Sequence, residues 1–329
     1  MSGPLAVVTG ASGFVGSHIV DELLARGARV RCLLRKSSST RWLDESKVEI
    51  VRVPLDHVEP LVEAVRGATW IVHAAGLTRA RSPKEFHEAN VGGTERMLRA
   101  AMEAGSSLDR FLLVSSQSVA GPAGPDGRPV TEGERPDPAS TYGVSKLRAE
   151  ELTLLLKDRI PVTVIRPPAV YGPRDTAILR VFAAVKRHVL PVLKKGARFT
   201  LVHAEDLARA VHLALVEPKA KGQVYFVGEP EITDYVEVGT AVSRALRSRA
   251  MIVSPPGFLL AAAAIATETL GALTGTAPIL TREKLNEIRA GDWICSSAKI
   301  RHELGWEPEL PLAEGIRRTA DWYRQAGWV

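Results

Sequence analysis

The chain has 329 residues, of which 45% are hydrophobic and 24% charged. That usage is ordinary for a soluble globular protein and excludes intrinsic disorder. The length is enough to bury a large core, as one big domain or two modest ones. The net charge of +6 is spread out, with its densest clusters at Arg35-Lys36, Lys194-Lys195 and Arg317-Arg318. Scattered basic residues favour a solvated surface plus an anion-binding pocket over nucleic-acid binding.

In chain order, Leu5–Thr9 reads as a strand, 14–26 as a helix and Arg29–Leu34 as a second strand. Strands follow at 48–53, 69–73, 110–115 and 162–165, with helical patterns between them at 58–66, 83–104 and 141–157. Near-continuous apolar strands joined by helices predict an α/β fold, a doubly wound parallel sheet covered on both faces. Its ligand belongs beyond the carboxyl ends of the strands. Residues 121–140 interrupt the rhythm with five prolines and four glycines. This is a loop, placed to wall a pocket. Beyond Arg166-Pro167-Pro168 the pattern becomes helix-rich, and 223–227 reads as a strand returning to the sheet. The expected division is therefore 1–175 for the sheet domain and 176–329 for a smaller, interleaved, helix-rich domain.

The longest apolar run, 258–266, stops at Thr267 and Glu268, short of the roughly 20 residues that cross a bilayer. It reads as a packed helix of the smaller domain, with a membrane-surface or pocket-lining helix across 256–273 as the alternatives. Strand residues begin by Leu5, which leaves no room for a signal peptide, and Cys32 and Cys295 are too few for a disulfide framework. Both observations point to a reducing cytoplasm. No His/Cys/Asp/Glu cluster has metal-ligand spacing, so no metal is expected.

Gly10, Gly13 and Gly16 lie between the first strand and the first helix. Side-chain-free backbone lets a pyrophosphate approach, and the helix N-terminus supplies amide donors and a favourable dipole. The second strand ends Leu34-Arg35-Lys36 without the carboxylate that holds the ribose 2′-hydroxyl of NAD. Arg35, with Lys36 or Ser37, suits a 2′-phosphate and favours NADP over NAD. Tyr142 and Lys146 stand four residues apart on one predicted helix, so both reach the same pocket. There an ammonium stabilises a phenolate, as a tyrosine that exchanges protons near neutral pH requires.

Together with Val72-His73-Ala74-Ala75, Asn90-Val91-Gly92-Gly93-Thr94 and Val114-Ser115-Ser116, these motifs resemble those of the extended short-chain dehydrogenase/reductase family. Arg166-Pro167-x-x-Val170-Tyr171-Gly172-Pro173-Arg174, Val202-His203-Ala204-Glu205-Asp206-Leu207-Ala208 and Leu304-Gly305-Trp306-Glu307-Pro308 extend the likeness over nearly the whole chain. The resemblance implies a Rossmann sheet and an NAD(P)-dependent enzyme. Its dinucleotide would lie against Gly10, Ser12, Gly13, Phe14, Val15 and Gly16, then Ala74, Ala75 and Pro167. Tyr142 would be the acid/base, and Lys146 would lower its pKa and hold the nicotinamide ribose. Ser116 would bond the substrate oxygen, with Ser115 and then Ser118 as runners-up. His73 would pack under the cofactor. Asn90 would either polarise water or bond the backbone. Pro54 replaces the acidic residue that many members carry after the third strand, with Asp56 two positions on, which puts the adenine contact in doubt.

Three outcomes are open to such a site. Gln117-Ser118 after the serine lacks the Asp-Glu of sugar dehydratases, and Arg198 stands one place early for the diphosphate grip of nucleotide-sugar epimerases. Ser-Ser-Gln-Ser-Val-Ala-Gly-Pro and the apolar 256–273 region resemble the 3β-hydroxysteroid dehydrogenase and dihydroflavonol reductase branch instead. That branch implies hydride exchange with a secondary alcohol or ketone of an apolar, steroid-, flavonoid- or polyketide-like substrate. A nucleotide-sugar epimerase is the alternative, and a non-catalytic NADP-sensing protein the remote one. Helices 83–104 and 141–157 form a homodimer face in many relatives.

Overall fold

In the computed structural model, which describes residues 3–105, 108–192, 194, 196–278 and 280–329, the apolar runs form the strands of one sheet. The first half comprises β1 (Leu5–Thr9), α1 (Phe14–Ala25), β2 (Arg29–Leu34), β3 (Val48–Arg52), α2 (Val58–Val65) and β4 (Trp70–His73). Then come α3 (Pro83–Phe86), α4 (Gly93–Glu103), β5 (Arg110–Val114), α5 (Thr141–Leu154), β6 (Val162–Arg166) and β7 (Ala169–Tyr171). The second half carries α6 (Leu179–Lys186), β8 (Val189–Pro191), β9 (Arg198–Phe199), β10 (Leu201–His203), α7 (Ala204–Val216) and β11 (Val224–Phe226). It ends with β12 (Thr233–Asp234), α8 (Tyr235–Leu246), β13 (Met251–Val253), α9 (Gly257–Thr274), α10 (Arg282–Ala290), α11 (Ala298–Leu304) and α12 (Leu312–Gln325).

Seven strands pair in the order β11-β6-β5-β4-β1-β2-β3, every pair parallel. This is the doubly wound Rossmann sheet that the strand pattern predicts, and the strand expected at 223–227 returns beside β6. Ile19, Leu23, Val211, Leu215 and Trp306 cover one face, while Leu61, Met97, Ala101 and Ala149 cover the other. A third core of Phe182, Leu190, Val242, Ile316 and Tyr323 forms under the later helices. The Leu304–Pro308 motif is explained by packing: Trp306 is buried and its indole donates to the Asp206 carbonyl at 3.1 Å. Strand order reverses between β1 and β4, so the crevice beyond their carboxyl ends is the place for a ligand.

Three expectations need correction. The helix expected across 83–104 is interrupted by a π-helical turn at His87–Gly92 that carries Asn90. The loop 121–140 is stitched to the segment before α11, through Ala123 to Asp292 and Val130 to Ile294, and does not itself wall the cavity beside Ser116. The apolar helix α9 runs past Glu268 to Thr274, yet only Ala264 and Gly271 are buried on it, and none of its residues lines that cavity. It is thus neither a fully packed helix nor a pocket wall. Of the basic clusters, Lys195 lies outside the described residues.

Candidate active site

The turn after β1 is built so that only glycine fits. Gly10 has φ 70°, and a Cβ on it would lie 2.7 Å from the Ala74 carbonyl. A Cβ on Gly16 would stand 2.1 Å from the Gly10 carbonyl oxygen, so α1 starts pressed against the loop. Gly13 caps α1 without a side-chain bond, and the first turn holds no acidic residue. Its amide donors and positive dipole therefore face the crevice free for an anion, which fits a dinucleotide pyrophosphate. Ala74 and Ala75 cross the same crevice: the Ala75 amide donates to the Thr9 hydroxyl at 3.2 Å.

Arg35 and Lys36 follow β2 in the open. Arg52, from the end of β3, donates to the carbonyls of Arg35 at 3.1 Å and Ser38 at 2.8 Å, bracing the turn and adding a third cation. Asp56 is exposed beyond β3, its carboxylate 3.8 Å from the His57 imidazole.

Helix α5 brings Tyr142 and Lys146 to the same crevice. Ser140 caps it, its hydroxyl accepting from the Gly143 amide at 3.2 Å. A Cβ on Gly143 would meet the Ser118 carbonyl oxygen at 2.4 Å, so the start of α5 lies directly on the short turn Gln117–Val119. That contact sets Tyr142 beside Ser116. Burial pushes the Tyr142 phenol up to about 12, the Ser116 hydroxyl pulls it back, and the Glu287 carboxylate raises it further. One turn on, Lys146 is buried and its Nζ donates to the Val114 carbonyl at 2.8 Å. Burial brings this ammonium down to about 8, against the pull of Glu150.

Ser116 lines a cavity, and its hydroxyl accepts from the Ser118 amide at 3.1 Å. Ser115 is buried with no partner for its hydroxyl, and it is not among the residues lining the cavity. His73 sits wholly inside β4, its Nδ1 2.8 Å from the Thr9 hydroxyl, and burial brings its imidazole down to about 3. It is a packing residue. Asn90 spends its amide on the Leu77 backbone and the Ser145 hydroxyl at 2.7–3.0 Å, which makes it a brace between the β4 loop and α5. Pro167 accepts from the Gln117 amide at 2.8 Å, just past β6.

Next to Ser116 opens a cavity of about 370 Å³. Pro168, Ala169, Phe199, Tyr235, Ile288 and Trp293 give it apolar walls. Its charges are paired: Lys284 with Glu287 at 2.8 Å and Arg198 with Asp292 at 2.8 Å. Sequence reading missed most of these wall residues, which come from β9, α8, α10 and the segment before α11 and carry no spacing signal. It also missed the buried pair Arg166–Glu150, at 2.7 Å, which ties α5 to β6. There the i, i+4 relation of Lys146 and Glu150 was the one available clue. Among the described residues no cluster of three or more metal-ligating side chains occurs.

A glycine cradle at the switch point of a parallel sheet, with a tyrosine and lysine on the helix beside it, defines a nicotinamide-dependent enzyme of the extended short-chain dehydrogenase/reductase type. The chain belongs to the NAD dependent epimerase/dehydratase family, whose model matches residues 6–228. It is 31% identical to the ceramide reductase of Caulobacter vibrioides, covering 99% of this chain and 96% of the relative. It is 30% identical to the 4-hydroxy-2-methyl-3-oxo-4-farnesyl-3,4-dihydroquinoline-1-oxide ketoreductase of Stigmatella aurantiaca, covering 97% and 96%. It is also 28% identical to the UDP-glucose 4-epimerase of Vibrio cholerae, covering 97% and 95%. Among solved structures, gox2253 superposes with a TM-score of 0.82 at 28% identity, over 99% of both chains. MoeE5 in complex with UDP-glucuronic acid and NAD gives 0.77 at 25% identity, over 98% of this chain and 99% of that one.

Proposed function

We propose that the chain is a ketoreductase that interconverts a ketone and a secondary alcohol on an apolar, lipid-like molecule. The observation that carries this reading is the apolar cavity opening directly on Ser116, with Tyr142 one contact away. With its pyrophosphate held on the Gly10–Gly16 turn and its nicotinamide ribose by Lys146, a bound dinucleotide would supply the hydride for the carbonyl carbon. In reduction, Tyr142 gives its proton to the carbonyl oxygen and Ser116 donates a hydrogen bond to that oxygen as charge builds. The Lys146 ammonium stabilises the phenolate left behind, which regains a proton from water. Two relatives bear the names of reductases acting on a ceramide and on a farnesyl-bearing quinoline oxide, which supports a lipid-like substrate.

The cofactor we favour is NADP, on the strength of Arg35, Lys36 and Arg52 and the lack of a carboxylate ending β2. The chain is read as a dinucleotide-binding part, 1–175 with the strand near 223–227, and a mainly substrate-binding part, 176–329. Two buried free thiols suit the cytoplasm. Exposed Val144 on α5 and Leu155 at its C-terminal end support a homodimer through that helix, to be checked by light scattering of Val144→Lys; a wild-type monomer refutes it.

One observation favours a second reading. Arg198 lines the same cavity, and freed from Asp292 its guanidinium would reach a substrate diphosphate there, as a nucleotide-sugar epimerase needs. A single experiment separates the two: absorbance of NADPH or NADH with long-chain keto lipids, steroidal and aryl ketones, and UDP-sugars analysed for epimers in parallel. Ketone-dependent oxidation of NADPH supports the reductase. Epimer formation without net cofactor change replaces it.

A further inference from the structure

Eight of the fourteen large hydrophobic side chains exposed on the described surface fall between Met251 and Leu273. Exposed apolar residues scattered singly are ordinary, but a contiguous set marks an interaction site. Along α9 the outward residues recur at helical spacing: Phe258 (72% exposed), Ala262, Ile265, Thr269 and Leu273 (80% exposed), flanked by Leu259 and Leu270. That face carries no charge. The helix's only ionised residue, Glu268, faces inward, where its carboxylate accepts from the Arg282 backbone amide at 2.8 Å and guanidinium at 2.9 Å. A surface helix of a water-soluble protein has the opposite arrangement. The preceding strand β13 leads into it with Met251, Ile252 and Val253 exposed as well.

Cations border this face. Arg289 approaches the start of α9, its Nη2 3.4 Å from where a Cβ on Gly257 would sit. Arg81 reaches the Gly275 carbonyl at the other end. Beside β13 and its partner β8, Arg187, Arg247 and Arg249 are exposed and have no carboxylate partner among the described residues. Between Arg247 and Arg289 the three carboxylates, Glu268, Glu283 and Glu287, are all hydrogen-bonded. The apolar strip is thus bordered by cations, of which Arg81 is paired with Glu85, while Arg187, Arg247, Arg249 and Arg289 have no carboxylate partner among the described residues.

We propose that α9 and β13 dock the protein flat on an anionic phospholipid surface, the apolar face entering the acyl boundary and the arginines meeting the headgroups. By length and composition α9 would also span a bilayer, being 18 residues with a mean hydropathy of 1.5. Its inner face, however, is tied to α10 by the Glu268–Arg282 pair and carries Gly271, packed on the Thr276–Pro278 return, so it lies along the surface instead. A second copy of the chain suits the face less well, because pairing it with itself sets arginine against arginine. The proposal does not rest on the identity of the substrate. It adds that α10, which carries the cavity residues Lys284, Glu287 and Ile288, is the element lying between the membrane-bound helix and the active site.

The test is sedimentation of the full chain with vesicles of phosphatidylglycerol and phosphatidylcholine, compared with phosphatidylcholine alone, without any substrate. The wild type is expected to pellet with anionic vesicles and to be released by high salt. Phe258→Asp with Leu273→Asp should lower the vesicle-bound fraction at least about ten-fold, because two large apolar anchors are lost. Arg247→Gln with Arg249→Gln should weaken binding several-fold on anionic vesicles only. Both pairs are exposed, and an unchanged thermal transition shows that the fold is intact; Ile265→Asn provides a milder second probe. Failure of the wild type to bind overturns the proposal, as does binding indifferent to these substitutions. A dimer in light scattering that Phe258→Asp dissolves also overturns it, in favour of a second copy on this face. Since vesicle binding is read without ketone or cofactor, its failure leaves the reductase reading to be judged by turnover alone.

Discussion

Lys146 donates its Nζ proton to the Val114 carbonyl at 2.8 Å, which pins the middle of α5 to the end of β5. The bond fixes the ammonium below Tyr142 on the same helix while Val114-Ser115 hands the chain on to Ser116. One contact therefore positions all three groups that the proposed reaction assigns to the substrate oxygen.

Replacing Tyr142 with Phe should lower kcat for ketone reduction by about 10²–10⁴-fold, the usual contribution of a positioned proton donor. NADPH binding, followed by fluorescence titration, should stay within a few-fold of the wild type. Equal loss of both would mean that Tyr142 serves the fold and not the proton.

Lys146 is held down at about 8 by burial, so its positive charge disappears as pH rises through that value. Reduction needs that charge, and kcat/KM for the ketone should fall above roughly pH 8. Lys146→Arg keeps a cation at high pH and should shift this limb upward even if the absolute rate drops. An unshifted limb would assign the titration to another group.

The two helix-side glycines should respond differently. Gly16→Ala places a Cβ 2.1 Å from the Gly10 carbonyl and should destabilise the fold, seen as a lower urea midpoint. Gly13→Ala has 3.2 Å of room and should fold, yet weaken NADPH binding by narrowing the approach to the α1 amides. Gly13→Ala that folds and binds NADPH like the wild type would move the pyrophosphate elsewhere.

Glu150→Ala leaves the Arg166 guanidinium buried and alone, since the pair is 1% and 6% exposed. The expected cost is roughly 3–5 kcal/mol in urea unfolding, with much of it recovered by Glu150→Leu combined with Arg166→Met. A single-variant cost under about 1 kcal/mol would show that water reaches the guanidinium.

Glu229 is buried and accepts from the Tyr171 hydroxyl at 3.0 Å; burial raises its carboxyl from 4.5 to about 8. Because the folded pKa is raised, the unfolded chain gives up this proton first. The stabilising contribution is complete below pH 4.5 and is lost as pH climbs to about 8. Glu229→Gln keeps the acceptor and removes the titration. Its stability relative to the wild type should rise by roughly a few kcal/mol between pH 5 and 8, measured by urea unfolding. A constant difference across that range would count against a titrating Glu229.

Much of this molecule was legible before folding. Strands β1 and β2 fall where their apolar runs do, and the glycines at 10, 13 and 16 announce a turn whose backbone must be approached closely. These signals are local: alternation, helical period and the lack of a Cβ act over a few residues. Tyr142 and Lys146 were readable for the same reason, being one turn apart. What needed the tertiary structure was every relation across large sequence distance. Arg52 bracing the Arg35 turn, Gly143 lying on Ser118, and the Glu287 charge acting on the Tyr142 phenol depend on how separate elements pack, which no spacing encodes. Helix α9 shows the limit most plainly. Its composition declares it apolar, but only the packing of α10 against one side decides which residues are buried and leaves Phe258 and Leu273 facing outward.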